Sequence, residues 1–187
     1  MEFSGEEALD HLTVEEAWMT LADPVAIQQT IPGCKIIVKL ENDELDPEEF
    51  KRKADEKALN EDPLPKSDKE TVQERTLNEG DSYGVYMEVG VAGLNLSIAS
   101  RIDVLEREFP SMKAHGEGDI GDYTFEMETG IEVEERDGGS LVKWYLEPDI
   151  SGSLFRWGSK LAQPIFSRVV GRFFNRIETL FQKNRAT

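Results

Sequence analysis

The side chains best able to do chemistry in this chain are a run of arginines near its end. Arg168, Arg172 and Arg176 recur at i, i+4 and i+8 in PIFSRVVGRFFNRIETLFQKNR, along one edge of an apolar helical face. Guanidinium groups so spaced suit a row of phosphates or carboxylates, at an anionic membrane or on an acidic partner. The competing reading pairs them with carboxylates of the same chain, and carboxylates are abundant. The chain has 187 residues and a net charge of −17, yet residues 151–187 hold seven basic residues against one acid, Glu178. The first 150 residues carry 14 basic residues against 37 acidic ones, a field that repels nucleic acid. Such acidity beside an ordinary apolar content favours a folded protein from a salt-loving source.

Other reactive types are scarce. His11 and His115 are the only histidines and Cys34 the only cysteine, too few for a His- or Cys-based metal site. Neighbouring carboxylates such as Glu15 and Glu16 say nothing about acid–base catalysis in so acidic a chain. The glycines of GDIGD and RDGGS fall in turns between strands, where they are hinges of hairpins and no phosphate cradle. No catalytic residue, metal or cofactor is predicted. The N-terminus is too acidic for a signal peptide and no 18 apolar residues run together, so a cytoplasmic protein is expected.

The elements that position these residues show in the hydrophobic periods. From Ser82 apolar residues alternate with the period of two of a half-buried strand. Tyr83, Val85, Met87, Val89 and Val91 share one face, as do Leu94, Leu96, Ile98, Ile102 and Val104 in the next strand. Tyr123, Phe125, Met127, Ile131 and Val133 mark another, and Val142, Trp144 and Leu146 the last, with MKAHGEGD a weaker strand between. The links VAGL, EFPS, DIGD and ERDGGS are tight turns, so the strands run antiparallel. Before them come a short N-terminal strand, then a helix capped by Thr13 with Glu16 completing a capping box. A second helical turn opens at Asp23-Pro24 and ends at Pro32-Gly33, and CKIIVKL reads as a strand. Residues 42–70 form a charged insertion holding a small surface helix that starts at Asp46-Pro47, while KETVQERTLN reads equally as strand or loop.

The last helix starts near Ser153 and runs towards Lys183, and Pro164 predicts a kink or a split. Its residues Phe166, Val169, Val170, Phe173, Phe174, Ile177, Leu180 and Phe181 occupy about half of its circumference. An antiparallel sheet with one apolar face needs a cover, and this helix is the only long amphipathic element available. An α+β fold follows, with a curved antiparallel sheet wrapped around a long C-terminal helix.

That order of elements resembles the helix-grip fold of the START-like (SRPBCC) superfamily. More narrowly, MEFSGE, IPGC at Ile31–Cys34 and GSLFRWGSKL at Gly152–Leu161 resemble the CoxG family, named for a subunit of carbon monoxide dehydrogenase, whose glycine and Gly-Ser pattern Gly152, Leu154, Gly158 and Ser159 follow. The resemblance spans nearly all of a single 1–187 domain except the 42–70 insertion. It implies a protein without catalysis of its own, associated with a molybdenum hydroxylase of the carbon monoxide dehydrogenase type and with the inner face of the cell membrane. It also implies a hydrophobic cavity between sheet and helix for a lipophilic small molecule such as a quinone. The strand residues that would line it are Tyr83, Val85, Met87, Leu96, Ile98, Tyr123, Phe125, Met127, Trp144 and Leu146, and the helix residues are Trp157, Phe166, Val170 and Phe173. The aromatic residues at core spacing, Trp18 and Tyr86 included, read equally well as plain core. Two alternatives stay open: a cyclase- or aromatase-like enzyme using the same cavity, and a structural adaptor with a filled interior. This chain departs from the family at Pro164, where the helix is usually uninterrupted, and it stops at Thr187, where some members continue into a tail proposed as the membrane anchor.

Overall fold

A computed structural model describes residues 2–41, 46–59, 76–91, 93–121, 123–150 and 154–185. Side chains are described at these positions except 47, 57–59, 91, 94, 154–165 and 184–185. Strand β1 (Phe3–Leu9) leads into helices α1 (Val14–Leu21) and α2 (Pro24–Thr30), strand β2 (Cys34–Lys39) and helix α3 (Pro47–Leu59). The meander β3 (Ser82–Val91), β4 (Leu94–Glu108), β5 (Ser111–Ile120), β6 (Tyr123–Arg136) and β7 (Gly139–Ile150) follows, and helix α4 (Leu154–Arg185) ends the chain.

The seven strands form one antiparallel sheet in the order β1-β7-β6-β5-β4-β3-β2. Because β1 and β2 lie on opposite edges, the chain between them must cross the sheet, and α1 and α2 make that crossing. The crossing is set locally. Thr13 Oγ1 accepts from the Glu16 N–H while Glu16 accepts from the Thr13 N–H, the expected capping box. Asp23 caps α2 through the Val25 N–H, and Pro24 sits at the first helical position, where its missing N–H costs nothing. Gly33 then turns the chain into β2 at φ +80, and a Cβ there would run into the Glu88 carbonyl, so only glycine fits.

Helix α4 lies on the concave face, as the apolar pattern of sheet and helix demands. Phe174 and Ile177 pack with Leu9, Leu12, Ala17, Trp18, Leu21, Val133 and Val142. A second buried group, Leu77, Tyr83 and Val104, with Ile27, Ile37 and Met112 against it, continues that core towards β2. The expected strands and their antiparallel order are all present.

Two expectations change. The helix does not split at Pro164: α4 runs unbroken for 32 residues. One lost N–H and its displaced carbonyl are a local cost, and the packing of the apolar face further along holds the helix. Helix α3 is also more than a surface decoration. Asp46 accepts from the Glu48 and Glu49 N–H groups to start it, and Phe50 and Ala54 are buried with Ile36, Tyr86 and Ala99. These last residues lie on the convex face of the sheet, so α3 gives that face a core of its own. Tyr86 therefore points away from the concave side.

Candidate functional site

Three regions follow from this frame: the concave face under α4, a groove beside the C-terminal half of α4, and a convex groove beside α3.

The concave face has two unlike ends. Near the α1–α2 crossing the face is sealed: Val142 and Ile177 are 0% exposed, Val133 and Leu9 1%. Towards the β3–β4 and β5–β6 turns the inward residues Met87, Val89, Leu96, Ile98, Ile120, Tyr123, Phe125, Met127, Leu146 and Ile150 are all only half-buried. Small residues contribute. On β5 the inward positions between Met112 and Ile120 are Ala114, Gly116 and Gly118, so the centre of the floor carries almost no side chain. Ile102 and Met127 lean over Gly116, where a Cβ would meet them at 2.9 and 3.3 Å.

The residues expected to line a cavity divide accordingly. Met87, Leu96, Ile98, Tyr123, Phe125, Met127 and Leu146 share the half-buried end. Val85 is buried at its margin. Trp144, Val170 and Phe173 pack against the sealed core, and Phe166 stacks on Phe3 with ring centroids 4.7 Å apart. Tyr83 does not belong to the lining: it is 5% exposed inside the core beside Leu77 and Val104. Its hydroxyl donates to Asp81 at 3.4 Å, and burial, with the Asp81 charge and that bond, pushes its pKa up to about 12. The side chain of Trp157 lies outside the described residues. Sequence reading missed Phe3 as the partner of Phe166; the period of two in FSGEEAL, with Phe3 and Leu9 on one face, was the available signal.

Polar groups on the concave side are few. Thr129 Oγ1 donates to the Tyr145 carbonyl at 2.9 Å, and Ser100 is buried on β4. The Trp144 Nε1–H is buried without a hydrogen-bond partner, its indole lying flat on β1 where a Cβ on Gly5 would come within 2.8 Å of the ring. A buried unsatisfied N–H costs about 1–3 kcal/mol, and Ser140 Oγ and Arg107 Nε are likewise buried without a partner. At the far end of the sealed core Arg107 sits over the Trp18 ring, 5.6 Å from its centre, and Phe109 meets the same ring edge-on. On the convex side Arg101 and Ser82 both donate to Asp103. Burial raises the Asp103 carboxyl, but those bonds and the Arg101 charge outweigh it and hold the group below the usual carboxylate range.

The arginines are exposed, and among the described residues no ion pair joins Arg168, Arg172 or Arg176 to a carboxylate. Pairing within the chain does not account for them there. Arg172 and Arg176 line a groove of about 640 Å³ with Asn175, Thr179, Leu180 and Lys183 of α4 and Gln29 and Thr30 of α2; Arg168 lies outside it. The convex groove, about 670 Å³, runs between α3 and Tyr86, Ser97, Ala99 and Asp119, with lysine, arginine and carboxylates mixed along its helix wall. No group of three or more potential metal ligands occurs among the described residues, and no described helix is long and apolar enough to cross a membrane.

The family model for CoxG, a carbon monoxide dehydrogenase subunit, matches residues 72–181. The chain belongs to the CoxG family. No curated protein sequence matches it. Among solved structures this CoxG-family chain is similar to a conserved protein from Geobacillus kaustophilus, with 19% identity, TM-score 0.69, and coverage of 98% of this chain and 96% of that one. It is also similar to protein CV1439 from Chromobacterium violaceum, at 12% identity and TM-score 0.60 over 96% and 95% of the two chains. The ginseng major latex-like protein 151 from Panax ginseng matches at 9% identity and TM-score 0.57, again over 96% and 95%. At such identities the likeness is one of fold, and the fold of this CoxG-family member is the helix grip. The CoxG match begins after α3, so Ile36, Phe50 and Ala54 of the convex core precede the matched segment while Tyr86 and Ala99 lie within it.

Proposed function

We propose that this chain is a single-domain, non-catalytic binding protein that carries a lipophilic small molecule between the concave face of the sheet and α4. The observation that supports this most is the contrast along that face: inward apolar side chains at Met87, Ile98, Phe125, Met127 and Leu146 keep accessible surface, while the same sheet is sealed one turn of the pleat further on. An apolar ligand covering some 300 Å² there would contribute roughly 7 kcal/mol before binding costs, which bounds the affinity at about 10 μM unless more surface is covered. A quinone fits this reading: its ring and tail match an apolar lining. Membership of the CoxG family supports a role beside a molybdenum hydroxylase of the carbon monoxide dehydrogenase type, at the inner face of the cell membrane. In that setting the basic edge of α4 makes the contact with membrane or enzyme, and the acidic remainder keeps the protein soluble at high salt.

Organic extraction of the purified protein followed by mass spectrometry tests the carrier. A lipophile near one per chain is the expected result. Protein free of any, which also fails to take up a short-chain quinone, would instead be an adaptor with a filled core.

A further inference from the structure

We propose that the groove between α2 and the C-terminal half of α4 docks an acidic polypeptide segment of a protein partner, its carboxylates seated on Arg172 and Arg176. This deepens the docking role given to the basic edge above and is independent of whether the concave face holds a ligand.

The charges converge in a recess. At 100° per residue Arg172, Arg176, Thr179 and Lys183 fall within about 60° of one another on the side of α4 that faces α2. The opposite wall brings no acid, because α2 reads PVAIQQT. That absence explains how two arginines stay without an ion pair to a described carboxylate in a chain of −17. Gln29, Asn175 and Thr179 add amide and hydroxyl groups able to meet a peptide backbone.

Shape and field select the occupant. Arg172 and Arg176 are about 6 Å apart along the helix axis, close to the spacing of about 6.8 Å between residues i and i+2 of an extended chain. Acids at alternate positions of a strand would thus meet both guanidinium groups at once. A flat anionic bilayer fits less well. It would meet the field of the strongly acidic remainder of the chain as well as the arginines, whereas a single strand seats in the open groove alone and within the Debye length of about 8 Å feels chiefly the arginines.

The test uses the full chain and a fluorescent peptide of alternating Glu and Ser, followed by anisotropy at about 0.15 M salt. Binding is expected, with none for the Gln-Ser peptide. Each of Arg172→Gln and Arg176→Gln should weaken it about tenfold, the loss of one charge-assisted pair. Arg168→Gln, outside the groove, should change it less than about twofold. Gln29→Trp narrows the recess from α2 without touching charge and should also weaken binding, which covers the chance that an arginine variant misfolds; circular dichroism checks each. The proposal is overturned if the Glu-Ser peptide does not bind, or if Arg168→Gln weakens it as much as the groove variants do. It is equally overturned if phosphatidylglycerol vesicles bind with this arginine dependence and the peptide does not.

Discussion

The two ends of the concave face share strands, helix and alternating pattern, yet one is closed and the other is not. At the closed end α1 stacks Ala17, Trp18 and Leu21 on the row that Val133 and Val142 present, and α4 adds Phe174 and Ile177 from above. Two helices meet one sheet there, and three surfaces leave no gap. Towards the hairpin turns the inward side chains stay half-buried, and the floor of β5 is alanine and glycine. The same apolar alphabet is therefore sealed at one end and keeps accessible surface at the other. What differs is the number of elements that converge.

Truncation should separate the ends. Ile177→Ala removes side-chain atoms from a site with no freedom to collapse, and should cost about 2–5 kcal/mol, read as a large fall in the denaturant midpoint. Leu146→Ala at the open end should cost about 1 kcal/mol, since solvent or ligand already shares its surface, and equal losses at both positions would erase the distinction. The sharper form is a gain. Ile98→Trp should fill the open end, leave stability nearly unchanged and abolish the thermal shift produced by a short-chain quinone, which at 100 times its Kd is worth about 2.7 kcal/mol. On the sealed side the crossing depends on its caps, so Thr13→Ala should lower stability by about 1 kcal/mol with quinone uptake untouched.

The smallest effect is one of pH. Tyr83 is held neutral in the folded protein, with a pKa of about 12 against 10.0 for the free side chain. Its contribution to stability is whole below pH 10 and is lost as pH rises through the folded value, because the unfolded chain releases the proton first. Tyr83→Phe should therefore flatten the alkaline limb of the stability profile between those two values, as followed by urea titration at each pH.

How far these features could be read from sequence varied with the range of the interaction behind them. The capping box of α1, the Asp23-Pro24 start of α2 and the five long strands rest on neighbours a few residues apart, and all were legible. The face of the sheet to which a residue belongs was legible too, through parity, which is why Phe125, Met127 and Leu146 fall together. Tyr86 and Tyr83 were the exceptions, for different reasons. Tyr86 stands out of phase with Val85 and Met87 and serves the convex core beneath α3, whose approach no periodicity within β3 announces. Tyr83 has the right parity but the wrong end of the strand, and only the position of Leu77 and α2 seals it. Pro164 did not split the helix, since a local penalty was overridden by packing elsewhere along α4.

By itself the sequence determined the elements, their antiparallel succession, the pairing of one apolar sheet face with one apolar helix face, and a cationic edge in an acidic chain. Each of these follows from periods and charges carried along the backbone. Only the tertiary structure decided where along the concave face helices converge and where they do not, that α3 builds a second core behind the sheet, and that α2 turns two of three arginines into the wall of a groove. Those outcomes depend on contacts between segments far apart in the chain, and packing in three dimensions has no period that one dimension can display.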